Sequence, residues 1–407
     1  MSRRRPIEGW ADMQGHIRKR THKTKSGKET VNWYLVVDLG RDANGKRRQK
    51  WHGGFRTRKA AEVVRAKIVD DLHEGTYTKP TKLTLQEWVE EKWLPTVRTQ
   101  VKPSTFESYR RNMNHHVLPN LGRRNVRDIG PNQLNALYTE LLASGRRDGS
   151  GGLSPKTVHY VHTIVHKALA DALDAGLLAA NPASRSKPPR ARAFAAIELR
   201  FWTPNELRSF LELIVGHRLQ AAWHVSAMTG MRRGEVLGLR WADVDFETAR
   251  IHVRRAIVSV AYELVVSTPK NHRPRVIDLD PGTLEQLRLH RKRQVEDLTE
   301  WGSGYQNGDL VFCKENGEPL HPQTYTQAFE RLITKTNLPR IRLHDLRHTH
   351  ATIALRAGVP TKVISERLGH ENPAFTLSQY AHIIPGMQAE AAIQVANIVF
   401  QNPGQDL

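Results

Sequence analysis

The stretch NPASRSKPPRARAF, residues 181–194, divides the chain. Its prolines oppose helix and its charges oppose burial, so no single hydrophobic core can run through it. The segment reads as an exposed basic linker, and the 407 residues must fold as separate bodies on either side of it. A chain of this length suggests two to four domains, at roughly 100–200 residues each. With 39% hydrophobic and 25% charged residues it can build real cores, which excludes whole-chain disorder.

Three kinds of patterning flank the linker. Residues 12–21 and 31–39 (VNWYLVVDL) read as strands, Asn44-Gly45 signals a hairpin turn, and KRRQKWHGGF reads as a third strand. A helix is expected from Thr57, its N-cap, to Gly75. Together these predict a small α+β module of three strands and one helix over 1–76. From 77 to 182, with TYTKPTK (76–82) as a short linker, the spacing turns helical. LTLQEWVEEKWLPTV, STFESYRRNMNHHVLPNL, GPNQLNALYTELLAS and SPKTVHYVHTIVHKALADALDAG place apolar residues three and four apart, predicting an all-α bundle of four helices. Ser104, Pro131 and Ser154-Pro155 open helices there, and Gly122 and Gly176 follow them. After the basic linker, 183–200, a mostly α domain with a small antiparallel sheet is expected over 201–385. It opens on a helix capped by Thr203, with Pro204 at its first position and Glu206 completing a capping box. Its strands are ARIHVRRAI, ELVVS and RPRVIDL. A terminal helix or tail occupies 386–407.

The net charge is +21 and is unevenly spread: +11 over residues 1–80, +7 over 81–190 and +3 over 191–407. A polyanion is the natural partner of such a surface, because each neutralised phosphate releases a counterion. No basic amphipathic helix with an aromatic apolar face stands out, which favours nucleic acid over a lipid surface. The first module interleaves Arg18, Lys19, Arg20, Lys46, Arg47, Arg48 and Lys50 with Trp33, Tyr34 and Trp51, a composition suited to a sheet lying in a DNA major groove. Arg110 and Arg111 are candidate DNA contacts of the helical region. The single cysteine, Cys313, excludes an internal disulfide and a Cys-based zinc finger. No secretory signal or 18-residue apolar window is expected, so the reading is a cytoplasmic, nucleoid-associated protein with no membrane partner.

Four separated fragments carry the chemistry: TGMRRGEVLGLRW (229–241), STPKNHRPRVIDL (267–279), LHDLRHTHAT (343–352) and LGHENPAFTLSQYAH (368–382). They resemble the tyrosine recombinase, or phage integrase, family, whose pattern is Arg, Lys, His-x-x-Arg, His or Trp, then Tyr. The matching positions are Arg232, Lys270, His344 with Arg347, His370 and Tyr380. Residues 82–182 and 10–76 are similar to the family's core-binding and arm-binding modules.

The resemblance implies a site-specific recombinase of a mobile element that cuts and rejoins DNA through a 3′-phosphotyrosine. Arg232 and Arg347 would clamp the non-bridging phosphate oxygens. Tyr380 would be the nucleophile, His344 the proton acceptor, His370 a phosphate hydrogen-bonder, and Lys270 the general acid toward the 5′-oxygen. Lys270 is expected on a hairpin. No cofactor is implied, because the covalent adduct conserves the bond energy. The implied partners are double-stranded DNA at core and arm sites, a homotetramer on that DNA, and an excisionase or DNA-bending protein. Alternatives from other classes are a type IB topoisomerase and a catalytically silent DNA-binding regulator. His344 and His348 have metal-ligand spacing, but Arg347 between them opposes a metal and no third ligand is signalled. Glu235 is expected only to support its helix.

Overall fold

The computed structural model describes residues 16–23, 29–41, 47–73, 82–190, 200–269, 274–370, 372–380 and, near the carboxyl end, 392–393, 396–397 and 400. Asn44-Gly45, Lys46 and nearly all of the 76–82 linker lie outside them, as does most of the expected terminal helix. The chain forms two compact units, Met1–Ala195 and Ala196–Leu407.

The first unit opens with β1 (His16–Lys23), β2 (Glu29–Arg41) and β3 (Arg47–Phe55), an antiparallel sheet in that order, followed by α1 (Arg58–His73). Thr57 caps α1, its Oγ1 accepting from the Ala60 amide at 3.2 Å. Ile17, Leu35, Val64 and Ile68 join sheet to helix. Alternation along β1 then sends Arg18 and Arg20 to the other face, where both guanidiniums lie over the Trp51 ring, 5.8 and 4.4 Å from its centroid. Lys19 pairs with Trp33, on the Leu35 side of the pleat, so it parts company with the two arginines it was grouped with.

Next come α2 (Leu85–Glu87), α3 (Leu94–Arg98), α4 (Pro103–Asn112), α5 (Leu118–Leu121), α6 (Pro131–Ser144) and α7 (Pro155–Asp174). Thr84 and Glu87 form a capping box and Ser154 caps α7. The helix expected to open at Ser104 opens one residue earlier, at Pro103. The first two expected helices are each interrupted by a π-turn, Trp88–Trp93 and Met113–Val117. Each π-turn precedes a proline, Pro95 or Pro119. A proline inside a helix removes one amide and crowds the carbonyl four residues back, which here falls within the wider turn. The π-turn also aims two tryptophans at α7: Trp88 Nε1 donates to the Ala168 carbonyl (3.1 Å) and Trp93 Nε1 to Asp171 Oδ2 (2.7 Å).

The basic stretch after α7 keeps Arg185, Lys187 and Arg190 exposed, but it is not free of the bundle. Residues 181–190 are held on the helical bundle, with Ala183 only 1% exposed. Residues 191–199 lie outside the described set.

The second unit contains α8 (Pro204–Leu213), α9 (Gln220–Thr229) and α10 (Arg233–Leu237). Strands β4 (Val244–Asp245), β5 (Arg250–Val253), β6 (Ala256–Val260), β7 (Glu263–Ser267) and β8 (Arg275–Asp278) follow. The remainder is α11 (Pro281–Trp301), α12 (Pro322–Ile333), α13 (Asp345–Arg356), α14 (Thr361–Leu368) and α15 (Pro373–Tyr380). Thr203 and Glu206 make the expected capping box. Trp202, Phe210, Trp223, Tyr325 and Phe329 form an aromatic centre, with Trp202 and Phe210 4.9 Å apart.

The strands form two small antiparallel sheets, β4-β5-β8 and β6-β7, where one was expected. ARIHVRRAI is not one strand: it breaks at Arg254-Arg255, whose guanidiniums turn to the buried Asp243 (3.4 and 2.8 Å). β7 and β8 belong to different sheets, and residues 270–273 between them, where Lys270 was expected on a hairpin, lie outside the described residues.

Candidate active site

The site is built around two left-handed glycines. Gly230 ends α9 at φ +65°, and Gly369 ends α14 at φ +67°. After Gly230 the chain extends through Arg232, the N-cap of α10. Each glycine carbonyl accepts from an arginine of another element. Arg347 Nη1, from the buried face of α13, donates to Gly230 O at 2.7 Å, and Arg232 Nη2 donates to Gly369 O at 3.0 Å. The first and third sequence fragments are thus tied together, as are the first and fourth. A side chain at Gly230 would meet Leu368 Cδ2 at 2.5 Å and His350 at 3.0 Å, so the turn requires glycine for space as well as for conformation.

Glu235 fixes the other side of Arg232. Its carboxylate, 2% exposed, accepts from Arg232 Nη1 (3.0 Å), from the Arg232 amide (2.9 Å) and from both terminal nitrogens of Arg275 (3.1 and 2.7 Å). Burial pulls this carboxyl up, but the Arg275 and Arg232 guanidiniums outweigh it and hold the pKa at about 2. Glu235 thus does more than support its helix: it neutralises and orients two cations at once. Arg275 also donates to the Arg367 carbonyl (2.8 Å).

His344 stands just before α13, and its ring meets that of His348 edge-on at 5.2 Å. Burial, then His348 and Arg347, push its pKa down to about 4. Asp345, buried, binds the amide and guanidinium of Arg342 and so shapes the turn that presents His344. His370 Nδ1 is 2.7 Å from Thr376 Oγ1 on α15. Its pKa is pushed down to about 3, first by burial, then by the charges of Arg347, Arg232 and Arg275 and by His348. Both imidazoles are therefore uncharged at neutral pH. Residue 380, one helical turn beyond Thr376, ends α15.

Arg232, Arg347, His344 and His370 are thus gathered in one place. The Tyr380 backbone lies at the end of the helix bonded to His370, while its side chain lies outside the described residues, as does Lys270. In the first unit Arg18 and Arg20 share the open sheet face. Lys19 does not, and the side chains of Arg47, Arg48 and Lys50 are outside the described set. Arg110 is forked onto Glu107 (2.8 and 2.7 Å), which occupies it, whereas the Arg111 charge bears on His115 and His116. Sequence reasoning missed the two glycine carbonyls, Arg275, Arg367 and Thr376. The glycines carried a signal, each sitting directly after a helical run.

Two guanidiniums and two uncharged imidazoles beside a helix that ends in tyrosine, in a helical domain with small antiparallel sheets, define a tyrosine-type enzyme that breaks and rejoins DNA. Comparison with known proteins agrees. The phage integrase family matches residues 200–385, the phage integrase N-terminal SAM-like domain 84–142, and the arm DNA-binding domain 19–71. Residues 200–385 belong to the phage integrase family. It is 29% identical over 400 residues to a XerC-like tyrosine recombinase of Caldanaerobacter subterraneus, covering 94% of this chain and 99% of the relative. It is 25% identical to the ICEBs1 integrase of Bacillus subtilis, covering 91% and 98%. In fold it resembles the Tn1549 transposon integrase solved with circular intermediate DNA (TM-score 0.63, 22% identity, 77% of this chain and 99% of that one). It also resembles a lambda integrase tetramer bound to a Holliday junction (TM-score 0.55, 17% identity, 85% and 92%). Among the described residues no helix is long and apolar enough to cross a membrane.

Proposed function

We propose that this chain is the site-specific recombinase of a mobile element and that Tyr380 attacks the scissile phosphate. The observation that carries the assignment is the convergence of Arg232, Arg347, His344 and His370, from three separated stretches, around two glycine carbonyls. In-line attack builds charge on the non-bridging oxygens, and guanidiniums already anchored by carbonyls stabilise it without reorganising. The phenolic oxygen bonds to phosphorus as the 5′-oxygen bond breaks. The phenolic proton passes to His344, whose uncharged ring can accept it, and Lys270 protonates the departing 5′-oxygen. Uncharged His370 hydrogen-bonds the phosphate.

The working division is an arm-site module (1–76), a core-binding bundle (77–182), a connecting segment (183–200), a catalytic domain (201–385) and a tail (386–407). The expected partners are core and arm sites on double-stranded DNA, a homotetramer assembled on them, and an excisionase or DNA-bending protein. A nicked suicide duplex, which loses its 5′-hydroxyl fragment after cleavage, tests the chemistry. It should trap a covalent protein–DNA adduct with the native chain and none with Tyr380→Phe. Adduct formation by Tyr380→Phe would transfer the nucleophile to another residue.

A further inference from the structure

Residues 181–190, which their prolines and charges mark as a free connector, are fastened to α7 by a ladder of histidines. His159, His162 and His166 stand three and four residues apart on one face, successive rings 5.9 Å apart. Each meets a different part of the segment. His159 Nδ1 lies 3.0 Å from the Pro189 carbonyl, so this nitrogen carries the proton. His162 Nδ1 lies 2.9 Å from Tyr138 Oη and 3.4 Å from Ser186 Oγ, and His166 Nε2 lies 3.1 Å from Ser184 Oγ. Asn135 Oδ1 accepts from the Lys187 amide at 2.6 Å, and Asn181 Nδ2 donates to the His166 carbonyl at 2.9 Å. The segment is thus gripped at Asn181, Ser184, Ser186, Lys187 and Pro189.

We propose that the histidine ladder is a strap that sets the reach between the two units, making His159 and His166 positioning residues for DNA clamping. This rests on the recombinase reading above. With the strap closed, the nine residues from Asn181 to Pro189 are held on the helical bundle and add no length to the connection between the units. Opening the strap releases them, a stretch of about 30 Å when fully extended. The effective concentration of one DNA-binding unit for its half of a shared duplex falls as roughly the −3/2 power of tether length.

The test uses the full chain and a short duplex of arbitrary sequence at low salt, on which non-specific binding is readable. In His159→Ala/His166→Ala the amides of Ser186 and Lys187 should exchange faster and DNA affinity should drop severalfold. His159→Gln/His166→Gln, which keeps an N–H donor at both positions, should remain close to the native chain in both readouts. Deleting residues 191–199 should weaken binding by the native chain more than binding by the alanine variant, whose released strap supplies the missing length. Unchanged amide exchange in the alanine variant would show that the histidines do not hold the segment. Faster exchange with unchanged affinity, or a deletion that weakens both chains equally, would show that the strap does not set reach. A native chain that binds no DNA would instead overturn the recombinase reading, and the exchange comparison would still judge the strap.

Discussion

At the scale of single residues, the site depends on two glycines and one carboxylate that do no chemistry. Gly230 and Gly176 both have positive φ, 65° and 73°, but only Gly230 is crowded: nothing lies within 4 Å of a Cβ built on Gly176. Gly176→Ala should therefore cost only the left-handed penalty, about 1 kcal/mol. Gly230→Ala adds overpacking against Leu368 and His350, a further 1–3 kcal/mol or so, and should shift the carbonyl that holds Arg347. Urea unfolding separates the two, and cleavage should fall in Gly230→Ala alone; equal costs would mean that the crowding is relieved elsewhere. Glu235→Gln makes a different point. Removing that charge leaves Arg232 and Arg275 facing one another with their shared partner gone, which should cost about 3 kcal/mol and slow cleavage through misplaced Arg232. A loss below about 1 kcal/mol would show that solvent already screens the pair.

At the scale of elements, legibility followed local chemistry. Thr57, Ser154 and Thr203 announced their helices because a capping side chain bonds an amide two or three residues away, which spacing alone reveals. The hairpin between β6 and β7 announced nothing. Its two turn residues are Ala261 and Tyr262, at φ 50° and 73°, where such a turn normally signals itself with Gly or Asn. The break at Arg254-Arg255 was hidden for another reason, since its cause is Asp243, eleven and twelve residues away. In the site, four fragments could be read as a set, but which carbonyl or carboxylate holds each guanidinium is long-range information: Arg232 and Gly369 are 137 residues apart. The first sheet shows what register adds to composition. Arg18 and Arg20 share the open face with Trp51, and Lys19 does not. Arg20→Ala should weaken arm-DNA binding and reduce the salt slope by about one, whereas Lys19→Ala should change the slope by much less. Equal slopes for the two variants would rule out the open face as the DNA surface.

For the whole molecule, the buried histidines make stability depend on pH in a fixed direction. His162, His344 and His350 are held at about 4 and His370 at about 3, mainly by burial, with nearby cations adding to it. The unfolded chain binds protons at these rings near pH 6.5, well before the folded chain does. A depressed folded-state pKa contributes stability that is complete above 6.5 and drains away as pH falls toward 4. Glu235, held at about 2, adds a second loss that begins near its ordinary value of 4.5. The thermal midpoint should therefore fall steadily below pH 6.5 and more steeply below 4.5. His350→Gln should lower the number of protons taken up on unfolding between pH 6.5 and 4 by about one. A midpoint that stays level from pH 7 to 4 would mean that these rings titrate in the folded protein as they do in the unfolded chain, near 6.5. In that case burial would not keep His344 uncharged below neutrality, so the same melting series that measures stability also tests the state of the proton acceptor.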